Sequence, residues 1–262
     1  MTVEEPLYGG IANRGRVVRS GDTVRRPMRP GSAATHALLQ HLESAGFSGS
    51  PRLLGVDEQG REVLSYIEGE AVVPPYPAWA MTDAALVSVA RLLRDYHEAT
   101  LGFRADQQTW SDAVPWRFRG HGVTTHNDPN LDNVVFRDGR AVALIDFDLA
   151  SPGSRAWDVA CAARLWAPLR SDVDITDSRR GAGIDRFRRF VDSYGLDAEQ
   201  REMAIEAVPV THEWCYAIVR EGAESGGSEG FADYWAHGGA ARAERTRAWY
   251  ADTFALLRGS LA

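Results

Sequence analysis

His126-Asn127-Asp128-Pro129-Asn130-Leu131-Asp132-Asn133, and a little further on Ile145-Asp146-Phe147-Asp148, form the stretch on which the reading of this chain turns. The octet, rich in Asn and Asp around a proline, has the composition of a turn-rich loop. Between the two segments stand the apolar runs Val134-Val135-Phe136 and Ala143-Leu144-Ile145. They are separated by Asp138-Gly139, a dipeptide suited to closing a tight hairpin. A hairpin returns the chain to its start, so Asp146 is expected at the same end of the two strands as Asp128 and Asn133. One short piece of local structure would then gather two carboxylates and a carboxamide.

Upstream, the sequence reads as strands and turns. Gly9-Gly10 precede Ile11-Ala12-Asn13, Val17-Val18 lead into a Ser20-Gly21-Asp22 turn, and Thr23-Val24-Arg25-Arg26 is stopped by Pro27 and Pro30. Ser32 is placed to cap a helix with Leu38, Leu39, Leu42 and Ala45 on its apolar face, ended by Gly46. Strands over 52–56 and 62–67 complete a small sheet. Pro74-Pro75 and Pro77 stiffen the connection from Gly69 to Trp79. Thr82 then caps an amphipathic helix with Leu86, Val89, Ala90, Leu93 and His97 on one face. From Trp157 onward the chain reads helical. Ile184, Phe187, Val191 and Tyr194 share a face of one helix that stops at Gly195, and Asp197 with Gln200 resembles a capping box. Pro209 should start or kink the next helix, Gly226, Gly227 and Gly230 should break it, and a last helix covers 240–257. The expected fold is α+β, with a β-rich N-lobe over 1–68 and a larger, mainly helical C-lobe over 69–262.

Composition narrows the class. At 44% hydrophobic over 262 residues, the chain has enough apolar material for a sizeable core. A net charge of −7 speaks against a nucleic-acid partner held through phosphate neutralisation. No run approaches the roughly 18 consecutive apolar residues of a membrane helix. The Met1-Thr2-Val3-Glu4-Glu5 start lacks the basic and apolar regions of an export signal. A cytoplasmic protein with no membrane partner is expected, with Cys161 and Cys215 as reduced packing residues. All 29 Lys and Arg residues are arginine, so any mechanism that needs a lysine is excluded.

Phosphoryl transfer from ATP needs a carboxylate to orient the acceptor hydroxyl and take its proton, and hard oxygen ligands for Mg²⁺. Asp128 fits the first role, and Asn133 and Asp146 the second. The loop from His126 to Asn133 resembles the catalytic loop of aminoglycoside phosphotransferases and related small-molecule kinases, which share a protein-kinase-like fold. Ile145 to Asp148 resembles their metal-binding segment, and Pro152-Gly153-Ser154 leading to Trp157-Asp158-Val159-Ala160 resembles its continuation into a helix. The resemblance implies Asp128 as catalytic base, His126 as a brace for the loop, Asn133 and Asp146 as Mg²⁺ ligands, and ATP as phosphoryl donor. Asp148 is either a metal neighbour or structural. Asp158 is either an anchor of the loop or an acid at a helix N-terminus.

The same resemblance puts the N-lobe over the nucleotide. Gly9, Gly10 and Asn13 lie in a glycine-containing strand-turn of the sort that brings backbone N–H groups to phosphate. Ser65 and Ile67 lie in a hinge whose backbone would bond the adenine edge. The family's third-strand lysine is missing; Arg25 takes the matching position, with Arg26 adjacent. The helix glutamate that would pair with that cation is also missing, Thr35 or His36 standing near its place. Glu213, Trp214 and Glu221 are candidate recognition groups for a small, cationic acceptor such as an amino-sugar. Two other functions fit parts of the pattern: a kinase-like protein that sequesters a ligand without phosphorylating it, and a metal-dependent hydrolase using His126, Asp128 and Asp146.

Overall fold

The structure, a computed structural model, describes residues 3–7, 16–105, 110, 114–115, 118–120, 122–226 and 229–261. Strands β1 (Glu5–Pro6), β2 (Val18–Ser20) and β3 (Thr23–Pro27) lead into helix α1 (Ser32–Ser44), and β4 (Leu53–Val56) and β5 (Arg61–Ser65) follow. The strands form one antiparallel sheet in the order β1-β2-β3-β5-β4. Gly21 makes the β2–β3 turn at φ 61°, where Thr23 Oγ1 donates to the Ser20 carbonyl at 2.7 Å. In the β3–β5 register Arg26 stands opposite Glu62. Leu38, Leu39 and Leu42 are buried on the apolar face of α1, as their spacing predicts. The N-cap, however, is Gly31 at φ 93°; the Ser32 hydroxyl turns back to accept from the Arg29 N–H at 2.9 Å.

After residues 66–69, β6 (Glu70–Ala71) enters the second lobe and pairs with β8 (Val134–Arg137). That strand in turn pairs with β9 (Arg140–Leu144), the expected hairpin. Strand β7 (Val123–Thr125), just before the His126–Asn133 loop, pairs with β10 (Ser151–Gly153), just after the hairpin. Both ends of the Asp128–Asp148 region are thus tied down by strand pairing. The rest is helical: α2 (Asp83–Ala99), α3 (Arg155–Trp166), α4 (Gly183–Tyr194), α5 (Ala198–Glu224), α6 (Glu229–Tyr234) and α7 (Ala240–Gly259).

Thr82 caps α2, accepting from the Ala85 N–H at 3.2 Å, and the α2 residues Leu86, Val89, Ala90, Leu93 and His97 are all fully buried. The Asp197–Gln200 capping box is formed at the start of α5. Pro209 falls inside α5, which neither begins nor ends there, and Gly230 lies within α6. Cys161 and Cys215 are both free, the first buried and the second partly buried. Among the described residues no helix is long and apolar enough to cross a membrane.

Gly69, at the joint between the lobes, has φ 144° and lies against the Phe136 carbonyl, with Val135 Cγ1 2.6 Å from where a Cβ would stand. A side chain there would combine backbone strain with a clash against β8. Gly69→Ala is therefore expected to lower stability by about 1–3 kcal/mol, measured by urea unfolding, with an unchanged m-value.

Candidate active site

The loop before β8 is fixed by a buried carboxylate. Asp158, on the first turn of α3, has no solvent exposure. It accepts from the backbone N–H groups of His126 and Asn127, both at 2.7 Å, and from His97 Nε2 at 2.9 Å. Tyr194 holds the other nitrogen of His97 at 2.7 Å. Asn127 sits at φ 67°, a conformation asparagine tolerates better than most residues. Its amide donates to the Leu149 carbonyl at 2.6 Å and to Ser151 Oγ at 2.9 Å, and its carbonyl accepts from Trp157 Nε1 at 3.0 Å. Asp158 therefore acts as the anchor that was one of its two readings.

His126 is buried. Its Nε2 meets the Ile145 carbonyl at 3.0 Å and its Nδ1 meets the Asp128 N–H at 3.3 Å. The first partner only accepts and the second only donates, which fixes the neutral Nε2–H tautomer. Burial, opposed by the charge of Asp158, lowers the His126 pKa and favours the same neutral form. The ring thus braces the loop against the hairpin.

Asp128 is held on both carboxylate oxygens. Asn130 Nδ2 donates to Oδ1, and Asn133 Nδ2 donates at 2.9 Å both to Oδ2 and to the Asp128 carbonyl. Arg164 Nη2 lies 3.8 Å from Oδ1. Burial, with the nearby charges of Asp146 and Asp132, outweighs Arg164 and pushes the Asp128 pKa up to about 7. A carboxylate poised near neutrality is suited to taking a proton. Because Asn133 uses its nitrogen on Asp128, its Oδ1 is left for a cation. Asp146, turned by φ 63°, lines the same cleft as Asn133. An amide oxygen and a carboxylate are hard donors that fit Mg²⁺ when phosphate oxygens and water complete the shell.

The cleft encloses about 220 Å³ between the two lobes. Val17, Val24 and Leu64 form its roof, Val135 and Ile145 its floor, and Ser65, Tyr66, Ile67 and Gly69 its rear edge. The Ser65 N–H bonds the Arg52 carbonyl at 2.9 Å and the Tyr66 N–H bonds the Asp22 carbonyl at 2.8 Å. Among the described residues no backbone hydrogen bond engages Ile67, so of the two expected hinge positions Ile67 keeps its backbone N–H free for a ligand. Gly9, Gly10 and Asn13 lie outside the described residues.

The expected phosphate-contacting arginine is corrected by strand parity. Arg25 points to the opposite face of β3, where it pairs with Glu4 at 3.5 Å. Arg26 shares the face of Val24 and lines the cleft. It lies 2.7 Å from Glu62, 2.8 Å from Asp146 and 2.8 Å from Asp148, and Arg29 reaches the other oxygen of Asp148 at 3.0 Å. Glu62 in turn meets His36 of α1 at 2.8 Å. The acid that partners the cation thus comes from β5 instead of the helix, and the helix supplies a histidine. Burial and the charge of Asp146, only partly offset by Arg26 and Arg29, push the Asp148 pKa up to about 6. Asp148 is held by the two arginines.

Of the recognition groups expected on α5, the two acids face solvent and the tryptophan packs against α3. Glu213 is exposed and forms a two-pronged pair with Arg247 of α7, at 2.6 and 2.7 Å. Glu221 is exposed, and Trp214 packs edge-on against Trp157, 5.6 Å between ring centres.

Comparison with known proteins places this arrangement. Residues 103–190, which contain the loop, the hairpin and α3, match the model of the phosphotransferase enzyme family. The trifolitoxin immunity protein of Rhizobium leguminosarum bv. trifolii is 37% identical over 213 residues, 77% of each chain. The chain belongs to the phosphotransferase enzyme family. This family member shares its fold with a choline/ethanolamine kinase family protein from Mesorhizobium loti (TM-score 0.67, 16% identity, covering 99% of this chain and 92% of that one). It also resembles the aminoglycoside phosphotransferase APH(3'')-Id of Streptomyces rimosus, solved with ADP and streptomycin (TM-score 0.52, 17% identity, covering 79% and 92%). The two-lobed, kinase-like α+β fold is the one the sequence led us to expect.

The two adjacent arginines of β3 should separate cleanly on mutation. Arg26→Ala leaves Glu62 to His36 and Asp148 to Arg29 and takes from Asp146 its arginine partner, and it is expected to cost about 3–5 kcal/mol in chemical denaturation. Arg25→Ala removes a half-buried, longer pair and should cost about 0–1 kcal/mol in the same experiment.

Proposed function

We propose that the protein is an ATP- and Mg²⁺-dependent phosphotransferase that moves the γ-phosphoryl group to a hydroxyl of a small molecule. The observation that carries this reading is that Asn133 and Asp146 line a cleft with apolar walls and a backbone edge while Asn133 also holds the Asp128 carboxylate. In this reading the adenine lies between Val24 and Leu64 above and Val135 and Ile145 below, with the Ile67 backbone on its polar edge. Asn133 Oδ1 and the Asp146 carboxylate hold Mg²⁺, which neutralises charge on the triphosphate when bound. Arg26 provides the cation that lysine gives elsewhere in the family, with a planar fork in place of a point charge. Asp128 orients the acceptor hydroxyl and takes its proton, and its carboxylate is kept in place by Asn130 and Asn133. The Streptomyces rimosus relative solved with ADP supports use of a nucleotide.

A second reading is favoured by one contact and one relative. Arg26 Nη1 sits on Asp146 at 2.8 Å, where its charge stands in for that of a metal, and a relative of this chain is an immunity protein. A protein that binds a toxic ligand without phosphorylating it would need the fold and the cleft but not the turnover.

Calorimetric titration of ATP with and without Mg²⁺, together with an ADP-release assay, separates the two. The phosphotransferase reading expects Mg²⁺ to tighten ATP binding. It also expects Asp128→Asn to keep that binding while turnover falls by about 10²–10⁴-fold. ATP binding that ignores Mg²⁺, or Asp128→Asn turnover close to wild type, would leave the sequestering reading in its place.

A further inference from the structure

Beneath the catalytic loop lies a group of polar side chains that the phosphotransfer chemistry does not use. Arg164, near the end of α3, is 4% exposed. One of its nitrogens donates to Asn130 Oδ1 at 3.0 Å, and the guanidinium also meets the Cys215 thiol. Its Nε has no hydrogen-bond partner among the described residues. Arg170, in the loop after α3, is partly exposed. Its Nε is also buried without a partner, and no carboxylate lies within ion-pair distance of it among the described residues. His212 of α5 (3% exposed) and Tyr250 of α7 (6% exposed) pack ring to ring, 5.5 Å between centres, and both are close enough to the two arginines to feel their charge. His212 Nε2 and the Tyr250 hydroxyl are buried and unpartnered as well.

The charge balance of this cluster is unusual. Two guanidiniums face two carboxylates that are already engaged: Asp128, 3.8 Å from Arg164 and shared with two asparagines, and Asp177, which feels the charge of Arg170 but is held on both oxygens by Arg179. Removing a guanidinium from water is costly unless an anion or several acceptors compensate it. Four unpartnered polar atoms within one cluster exceed what a native interior ordinarily leaves unsatisfied. The Leu169 backbone engages one nitrogen of His212, and burial together with the two arginines lowers its pKa. A neutral ring bonded in this way can offer its remaining nitrogen to a hydroxyl. The carboxylates of α5 that would greet a cation are meanwhile turned outward, Glu213 onto Arg247.

We propose that Arg164, Arg170, His212 and Tyr250 form an acceptor subsite for an anionic group, so that the hydroxyl compound presented to Asp128 carries a carboxylate instead of an amine. This rests on the phosphotransferase reading for the role of Asp128, but the anion site itself does not require turnover. Arg170 and the Arg164 Nε edge would take the carboxylate by charge-assisted hydrogen bonds, and His212 and Tyr250 a neighbouring hydroxyl or amide. Tyr216, stacked 6.2 Å from His212, would form the apolar side.

The test uses matched pairs of probes, glycerate against glyceramide and N-acetylserine against N-acetylserinamide, with ethanolamine as the cationic control. Each is titrated calorimetrically into the full-length protein. The carboxylates are expected to bind roughly 10- to 100-fold more tightly than their amides, the range of one charged hydrogen bond. Arg170→Gln, at a partly exposed position, should erase that preference while leaving the melting temperature and Mg-ATP binding unchanged. Arg164→Gln, at a buried position against Asn130 and Asp128, should also erase the preference if it folds, and Arg170→Gln decides the matter if it does not. Equal binding of acid and amide, preference for ethanolamine, no response to any probe, or a preference that survives Arg170→Gln would each overturn the proposal. A parallel titration of Mg-ATP keeps the two claims apart. Carboxylate selectivity without nucleotide binding sinks the phosphotransferase reading alone, and nucleotide binding without carboxylate selectivity sinks only the anion subsite.

Discussion

A carboxylate with no access to water stands where α2, α3 and the loop before β8 meet. Asp158 collects two backbone N–H groups and one imidazole N–H, all at 2.7 to 2.9 Å. A buried charge with fewer donors would be a liability, and each donor left without it would be an orphaned buried group. The loop is thus held in a single conformation by a group that takes no part in the chemistry. From that fixed point His126 braces the hairpin through Ile145, and Asn127 accepts its left-handed backbone. Asp128 is then held in a defined orientation beside Asn133, which lines the cleft. Strand pairing of β7 with β10 closes the arrangement from the other side.

Much of this was legible because it is local. The Asp138-Gly139 turn and the apolar runs around it fix a hairpin without reference to the rest of the chain. The return of Asp146 to Asn133 follows from that geometry alone. Helix ends written in capping residues, Thr82 and the Asp197–Gln200 pair, were equally readable. Ser32 was less so, since Gly31 in a left-handed conformation competes for the same role. The choice between Arg25 and Arg26 depended on the phase of a short strand. Val24 carried the signal: an apolar residue facing the cleft places Arg26, two positions on, beside it.

Other features could not be read because they are joined only by tertiary register. Glu62 becomes the partner of Arg26 by standing opposite it across β3 and β5, a relation between segments separated by a whole helix. Without the register, the absence of a helix glutamate looked like a loss; with it, the acid has moved to a strand and His36 fills its former neighbourhood. On α5 the question was one of angle around the helix. Glu213 and His212 are adjacent in sequence yet about 100° apart around the axis, so one turns to Arg247 in solvent and the other to the interior. The acids expected to take part in recognition thus lie on the outer face of that helix.

The Arg26 contacts also say something about how the cleft comes to be open or shut. Arg26 and Glu62 belong to the small lobe, Asp146 and Asp148 to the large one, and Thr35 of α1 adds a bond of 3.4 Å to the Phe147 carbonyl. Two lobes that hinge apart ordinarily bring an ordering cost to the moment a ligand draws them together. Here the ion pairs clasp them beforehand, and that cost falls on folding. The cleft behaves as a mould already set, which selects its guests by fit more than by closure.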